Sequence, residues 1–184
     1  MTGTLKTPYR PRQREIPADV LTPGGWMAGT FIVPQAQNLL DFLNTSGRFL
    51  KLTAVRRPGR TEQLPFFALS EESALLIVPQ DRHRVVMELL PATVTPLQIS
   101  CVLPAGLLEG RLEFLKNLRL SDFLRQHDGF LMLRDATWQP ETGRLPSDGR
   151  RDVPTVMVNA NRLTGIEESL SQPVEGHPRA LPRT

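Results

Sequence analysis

Displaced by 81 residues, this chain aligns with itself without a gap. Gly29 falls on Gly110, Leu39 on Leu120, and Asp41-Phe42-Leu43 on Asp122-Phe123-Leu124. Phe49 falls on Phe130 and Leu52 on Leu133. Upstream, Pro23 and Gly25 fall on Pro104 and Gly106; downstream, Leu75-Leu76-Ile77 falls on Val156-Met157-Val158. A register kept over that span implies two copies of one small module. A module of roughly 70 residues is marginal alone, because it buries a modest fraction of its surface. The copies are therefore expected to pack on each other. The matched positions are mostly apolar, Gly or Pro, so they report fold and carry no chemistry.

Within the second copy, Leu97–Leu103 and Leu107–Leu115 flank the turn Pro104-Ala105-Gly106. Alternation of period two around a Gly-containing turn reads as a hairpin with one wet face. Asn117 suits a helix cap, and Leu118, Leu120, Phe123 and Leu124 follow helical spacing up to Gly129. Strands are expected at Phe130–Trp138 and Val153–Val158, the latter closed by Asn159-Ala160-Asn161. The first copy repeats the order. Ile16–Leu21 and Trp26–Val33 form the hairpin, and Asn38 caps a helix from Leu39 to Thr45. Phe49–Val55 follows, then a strand at Ser73–Val78 with a weaker segment at Pro65–Leu69.

The expected fold is α+β, mainly β: two pseudo-twofold-related strand-strand-helix-strand-strand units packed together. Residues 1–15 read as a flexible basic arm, 16–80 as the first copy and 96–169 as the second. Residues 81–95 join them through the apolar run Val85–Leu90, expected to be a strand. Residues 170–184 read as a disordered tail.

Net charge is +3, and the surplus lies in Lys6, Arg10, Arg12 and Arg14, which no acid accompanies before Glu15. A basic arm suits phosphate or an acidic partner. Arg56-Arg57-Pro58-Gly59-Arg60 forms a basic turn, and Arg150-Arg151 lies in the corresponding loop of the second copy. Arg10, Arg12, Arg14, Arg56, Arg57, Arg60, Arg150 and Arg151 are thus the candidate contacts to a partner or to nucleic-acid phosphates. A solvated charged turn or tail is the plainer reading of them. Trp and Tyr together number three, few for stacking on single-stranded bases.

Other chemistry is thinly marked. Asp41 and Asp122 occupy one repeat position, where a first-turn acid meets free helix N–H groups. One carboxylate per copy is too few for Ca²⁺. His83, His127 and His177 lack metal-ligand spacing. The one cysteine, Cys101, sits in an apolar run, reads as a buried thiol, and implies no oxidising compartment. Phe42, Phe49, Phe123 and Phe130 are expected to be packed. No catalytic, metal or cofactor residue is assigned. Met1–Ile16 has no apolar core, so no signal peptide is expected. No apolar run approaches the roughly 18 residues that would span a bilayer. A cytoplasmic protein without membrane insertion is expected.

Gly110-x-Leu112, Arg119-Leu120-Ser121-Asp122-Phe123-Leu124, Phe130-Leu131-x-Leu133-x-Asp135-Ala136 and Val156-Met157-Val158-Asn159 resemble a small bacterial β-rich domain of unassigned function, built around a Leu-Ser-Asp-Phe-Leu helix. The first copy is similar but has Leu40 for Ser121 and Thr53-Ala54 near the place of Asp135. The resemblance implies a fold and a bacterial origin. More loosely, the copies are similar to Sm-like β-barrels, in which the helix comes first. Arg56-x-x-x-Arg60 resembles an element of cyclic-dinucleotide-binding β-barrels, but their Asp-x-Ser-x-x-Gly element is absent.

The expected function is a non-enzymatic binding or scaffold protein, an accessory or assembly subunit of a bacterial complex. A duplicated β-module offers strand edges to other protein subunits, and the reading allows an oligomer. Two alternatives are carried with it. One is a nucleic-acid binder using the arm and basic loops. The other is a small-ligand sensor or enzyme with its site between the copies.

Overall fold

The computed structural model describes residues 12–80, 94–115, 118–141 and 151–168. Among these residues ten antiparallel strands make one sheet, with two short helices beside it, so the fold is α+β and mainly β. Unit 1 holds β1 (Gln13–Thr22), β2 (Gly25–Pro34), α1 (Leu39–Thr45), β3 (Phe49–Arg56), β4 (Gln63–Ser70), a 3₁₀ turn (Glu71–Ser73) and β5 (Leu76–Pro79). Unit 2 holds β6 (Val94–Leu103), β7 (Gly106–Leu115), α2 (Leu120–Gln126), β8 (Phe130–Pro140), β9 (Arg151–Asn159), a 3₁₀ turn (Ala160–Arg162) and β10 (Gly165–Glu168). The strand order is β10-β6-β7-β8-β9-β5-β1-β2-β3-β4.

β1, β2 and α1 recur as β6, β7 and α2 at the 81-residue offset, with identical bounds. The gapless register ends after β3. Phe49 pairs with Ser70 and Phe130 with Asn159, so an offset of 81 at Phe49 becomes 89 at Ser70. The second hairpin is therefore eight residues longer, and β9 is the counterpart of β4. Pro65 then matches Pro154, the two 3₁₀ turns match, and β5 matches β10. Pairing confirms it: Ile77 lies opposite Val20 and Ile166 opposite Cys101, each the same place in its unit. The expected match of Leu75–Ile77 with Val156–Val158 is thus a match between neighbours in the sheet. Both are short apolar runs, which is why they align. The weaker segment at Pro65–Leu69 is β4, and β10 is a fifth strand that the expected four-strand order lacks. Val85–Leu90 lies outside the described residues.

Each unit bends its sheet with the same device. The β2–β3 register slips at Gly29, opposite Ala54 at φ 52°; the β7–β8 register slips at Gly110, opposite Asp135 at φ 47°. An extra residue on one strand kinks it and increases the twist. A Cβ on Gly29 would come 2.8 Å from Leu52 Cδ2, and one on Gly110 2.9 Å from the Ala136 Cβ. The repeat keeps glycine at both places because the bent strands close onto it.

α1 begins at the expected cap. The Asn38 Oδ1 accepts the Asp41 N–H at 2.8 Å, and the Asn38 Nδ2 donates to the Asp41 carboxylate at 2.7 Å. In α2 the cap position is Arg119, which makes no side-chain cap bond, rather than Asn117. Asp122 there pairs with Arg125 at 3.5 Å.

The apolar residues form two cores, and each borrows from the other unit. Phe130 and Met157 of unit 2 belong to the core of unit 1, and Leu21, Leu75, Leu76 and Val78 of unit 1 to the core of unit 2. β5 is buried along its whole length because both its faces are covered. It pairs with β1 on one side and β9 on the other, with Leu76 opposite Val158 and Ile77 opposite Met157. A pseudo-twofold junction would join like strands. Here the fifth strand of unit 1 meets the fourth of unit 2, so the units are arranged head to tail.

Candidate binding surfaces

Three surfaces follow from this arrangement: the junction's outer cleft and the two ends of the sheet. The junction itself is filled. Phe130 is fully buried, and its backbone N–H donates to the Asn44 Oδ1 at 2.6 Å while its carbonyl accepts from the Asn44 Nδ2 at 3.1 Å. Asn159 is buried and clasps the first 3₁₀ turn, its Nδ2 donating to the carbonyls of Glu71 at 3.0 Å and Ala74 at 3.1 Å. Paired in this way, the buried Asn159 amide and the Phe130 N–H leave no desolvated donor unsatisfied.

Beside the junction lies a cleft of about 840 Å³. The turns after β1 and β6 form its walls through Pro23-Gly24-Gly25 and Pro104-Ala105, with Trp26, Trp138, Glu141 and Arg162 among its lining. Both tryptophans of the chain line it. Among the described residues the buried Arg162 Nε has no hydrogen-bond partner. A mostly apolar cleft with a few polar groups has the form and size of a small-molecule site.

At one end of the sheet, β4 has no partner on its outer side among the described residues. Phe66 is 58% exposed there and Phe49, on the neighbouring β3, 49%. The burial expected for Phe49 is therefore corrected. Its repeat equivalent Phe130 is covered by unit 1, whereas no unit covers Phe49. The other repeat residues behave as expected of a core: Leu39, Leu43, Leu52, Leu120 and Leu133 are buried. Phe42, Phe123 and Leu124 are half-buried, Phe42 edge-on to Phe31 and Phe123 tilted against Phe114. At the other end β10 has no partner on its outer side among the described residues and carries exposed Glu167 and Glu168.

Arg10 and Arg150 lie outside the described residues. Arg12 is exposed before β1, and Arg14 donates to the Gln37 carbonyl. Arg56, Arg57 and Arg60 are exposed at the β3–β4 turn. Arg151 is committed elsewhere: its Nη2 meets the Asp19 carboxylate at 2.8 Å, and its guanidinium lies 5.1 Å from the Trp26 ring centroid. Asp19 stands on β1, so Arg151 ties the units together at the cleft.

Cys101 is buried, and desolvation pushes its thiol up to about 12. A thiol kept protonated is a poor nucleophile. His127 stacks on Phe123 at 5.0 Å, with its Nε2 3.0 Å from the Phe130 carbonyl. Among the described residues no cluster of three His, Cys, Asp or Glu could hold a metal. No helix among them is long and apolar enough to cross a membrane. The exposed aromatics and the cleft were not legible in the sequence, since both depend on which unit covers which. Comparison with protein-family models, with curated proteins and with solved structures finds no match.

Proposed function

We propose that this chain is a non-enzymatic scaffold that binds protein partners at the ends of its sheet. The carrying observation is the exposure of Phe49 and Phe66 beside the unpaired edge of β4. Aromatic side chains at an open strand edge combine ladder hydrogen bonds with apolar contact, the two ingredients of strand addition. The likeness to a small bacterial domain fits an assembly subunit of a bacterial complex. The test is capture from native lysate by the immobilised full-length chain. A partner retained by the native chain and lost with Phe66→Lys supports the reading; equal capture by both contradicts it.

The cleft favours a second reading, a small-ligand sensor. Trp26, Trp138 and the cation of Arg162 suit a flat anionic molecule. With both tryptophans in the cleft, fluorescence titration with nucleotides and aromatic acids reads binding directly. A saturable change abolished by Arg162→Ala supports it, and an unresponsive emission across those ligands removes it.

A further inference from the structure

We propose that the β4 edge of one chain pairs with the β10 edge of another, so that the occupant of each end is a second copy of this protein, seated head to tail. This deepens the protein-binding reading and rests on it. The internal junction is itself a pairing of a fourth strand, β9, with a fifth, β5. Among the described residues the two free edges are the remaining fourth strand, β4, and the remaining fifth, β10. A junction between unlike patches repeats wherever both patches remain open.

The open ends carry the two halves of that junction. On the inserting side, the buried Phe130 and Met157 correspond to Phe49 and Ala68, which are exposed together with Phe66. On the receiving side, Leu43, Ala74 and Ile77 of unit 1 are sealed beneath the junction. Their counterparts Leu124, Leu163 and Ile166 are only half-buried. The same chemistry is thus covered at one end of each unit and uncovered at the other. Transposing the internal register puts Ile166 opposite Ala68 and Gly165 opposite Leu69. Even the missing donor matches, since Pro65 of β4 corresponds to Pro154 of β9.

Two further observations favour a copy of this chain over another protein. Glu167 and Glu168 on β10 would come to lie beside a strand pair carrying exposed Lys51 and Arg56. The internal counterparts of those four residues are Val78, Pro79, Met132 and Thr137, all uncharged. Opposite charges therefore stand at the ends that would meet, as the Arg151–Asp19 pair does across the internal junction, and they favour this partner and orientation. Second, a recess of about 330 Å³ beside β4 is lined by Thr22–Gly25, Arg57, Pro58, Phe67, Leu69 and Ser73. It is the unit 1 version of the large cleft without its second wall, which the turn Leu103–Gly106 of an arriving chain would supply. The polar clasp is not conserved: Asn44 and Asn159 correspond to Arg125 and Ser70. The contact between chains is accordingly weaker than the internal one and reversible.

Sedimentation velocity of the full chain tests this, with concentrations up to about 100 µM so that a weak contact still registers. The expected result is a concentration-dependent assembly of multiples of 20.6 kDa. Phe49→Glu and Phe66→Lys alter exposed side chains, leave the circular dichroism unchanged, and weaken association about tenfold or more. Register is read by mixing Ala68→Cys chains with Ile166→Cys chains under oxidising conditions. A mixed disulfide dimer is expected; a dimer of Ala68→Cys chains alone would show like edges meeting and overturn the proposal. A native chain that stays monomeric overturns it too. If Phe66→Lys then still abolishes capture of a different protein, the protein-binding reading stands and only the occupant is wrong.

Discussion

Phe130 and Phe49 occupy one position of the repeat, and their environments differ by the presence of one neighbouring unit. Phe130 is 0% exposed and lies in the core of unit 1, while Phe49 is 49% exposed. Phe130→Ala removes a wholly enclosed ring and leaves a cavity across the junction, a loss of about 3–5 kcal/mol. Phe49→Ala removes a ring already half in water and opens no enclosed cavity, so its cost stays below about 1 kcal/mol. Both substitutions belong in a Phe66→Lys background, where chains are single. Urea unfolding followed by far-UV circular dichroism gives the two free energies, and equal m-values show that the same surface unfolds. A gap of about 2 kcal/mol or more is expected. Equal costs would refute the head-to-tail junction, because the two rings would then be equally covered.

Three other outcomes follow from single contacts. Asn159→Ala strands the buried carbonyl of Ala74, removes one of the two donors to that of Glu71, and costs about 1–3 kcal/mol in the same unfolding assay; Ser70→Ala, at the matching open position, costs little. Ala54→Gly relieves a left-handed backbone at φ 52° and raises stability by about 0.5–1 kcal/mol, net of the added chain entropy; a lower melting temperature would contradict the bulge. Burial raises the Cys101 thiol from 9.0 to about 12, so the fold holds only its neutral form. That contribution is intact below about pH 9 and is lost as pH rises toward 12, at about 1.4 kcal/mol per unit. Stability of the native chain therefore falls more steeply above pH 9 than that of Cys101→Ala, and parallel curves would show the thiol to be hydrated.

The hairpins, both helices and most of the core were legible because their signals are local. Alternation gives β1, β2, β6 and β7, and Asn38 marks the start of α1. What failed was long-range. The gapless offset could not register the longer β8–β9 connection, so two neighbouring strands passed for counterparts. β10 has one apolar side chain, Ile166, in four residues and shows no alternation; it is a strand only because β6 lies beside it. Phe49 has the sequence context of a core residue, and the lack of a covering unit is a fact of assembly. The basic residues looked alike in the sequence, and the sequence could not show that Arg151 is engaged by Asp19 and Trp26 of the other unit.

Hydrogen exchange in the Phe66→Lys chain compares β5, Leu76–Pro79, with β10, Gly165–Glu168. These are equivalent strands, one flanked on both sides and the other on a single side. Slow exchange in β5 and fast exchange in β10, with β10 gaining protection in the native chain as its concentration rises, is the expected result. Indistinguishable exchange of the two strands at every concentration would contradict it.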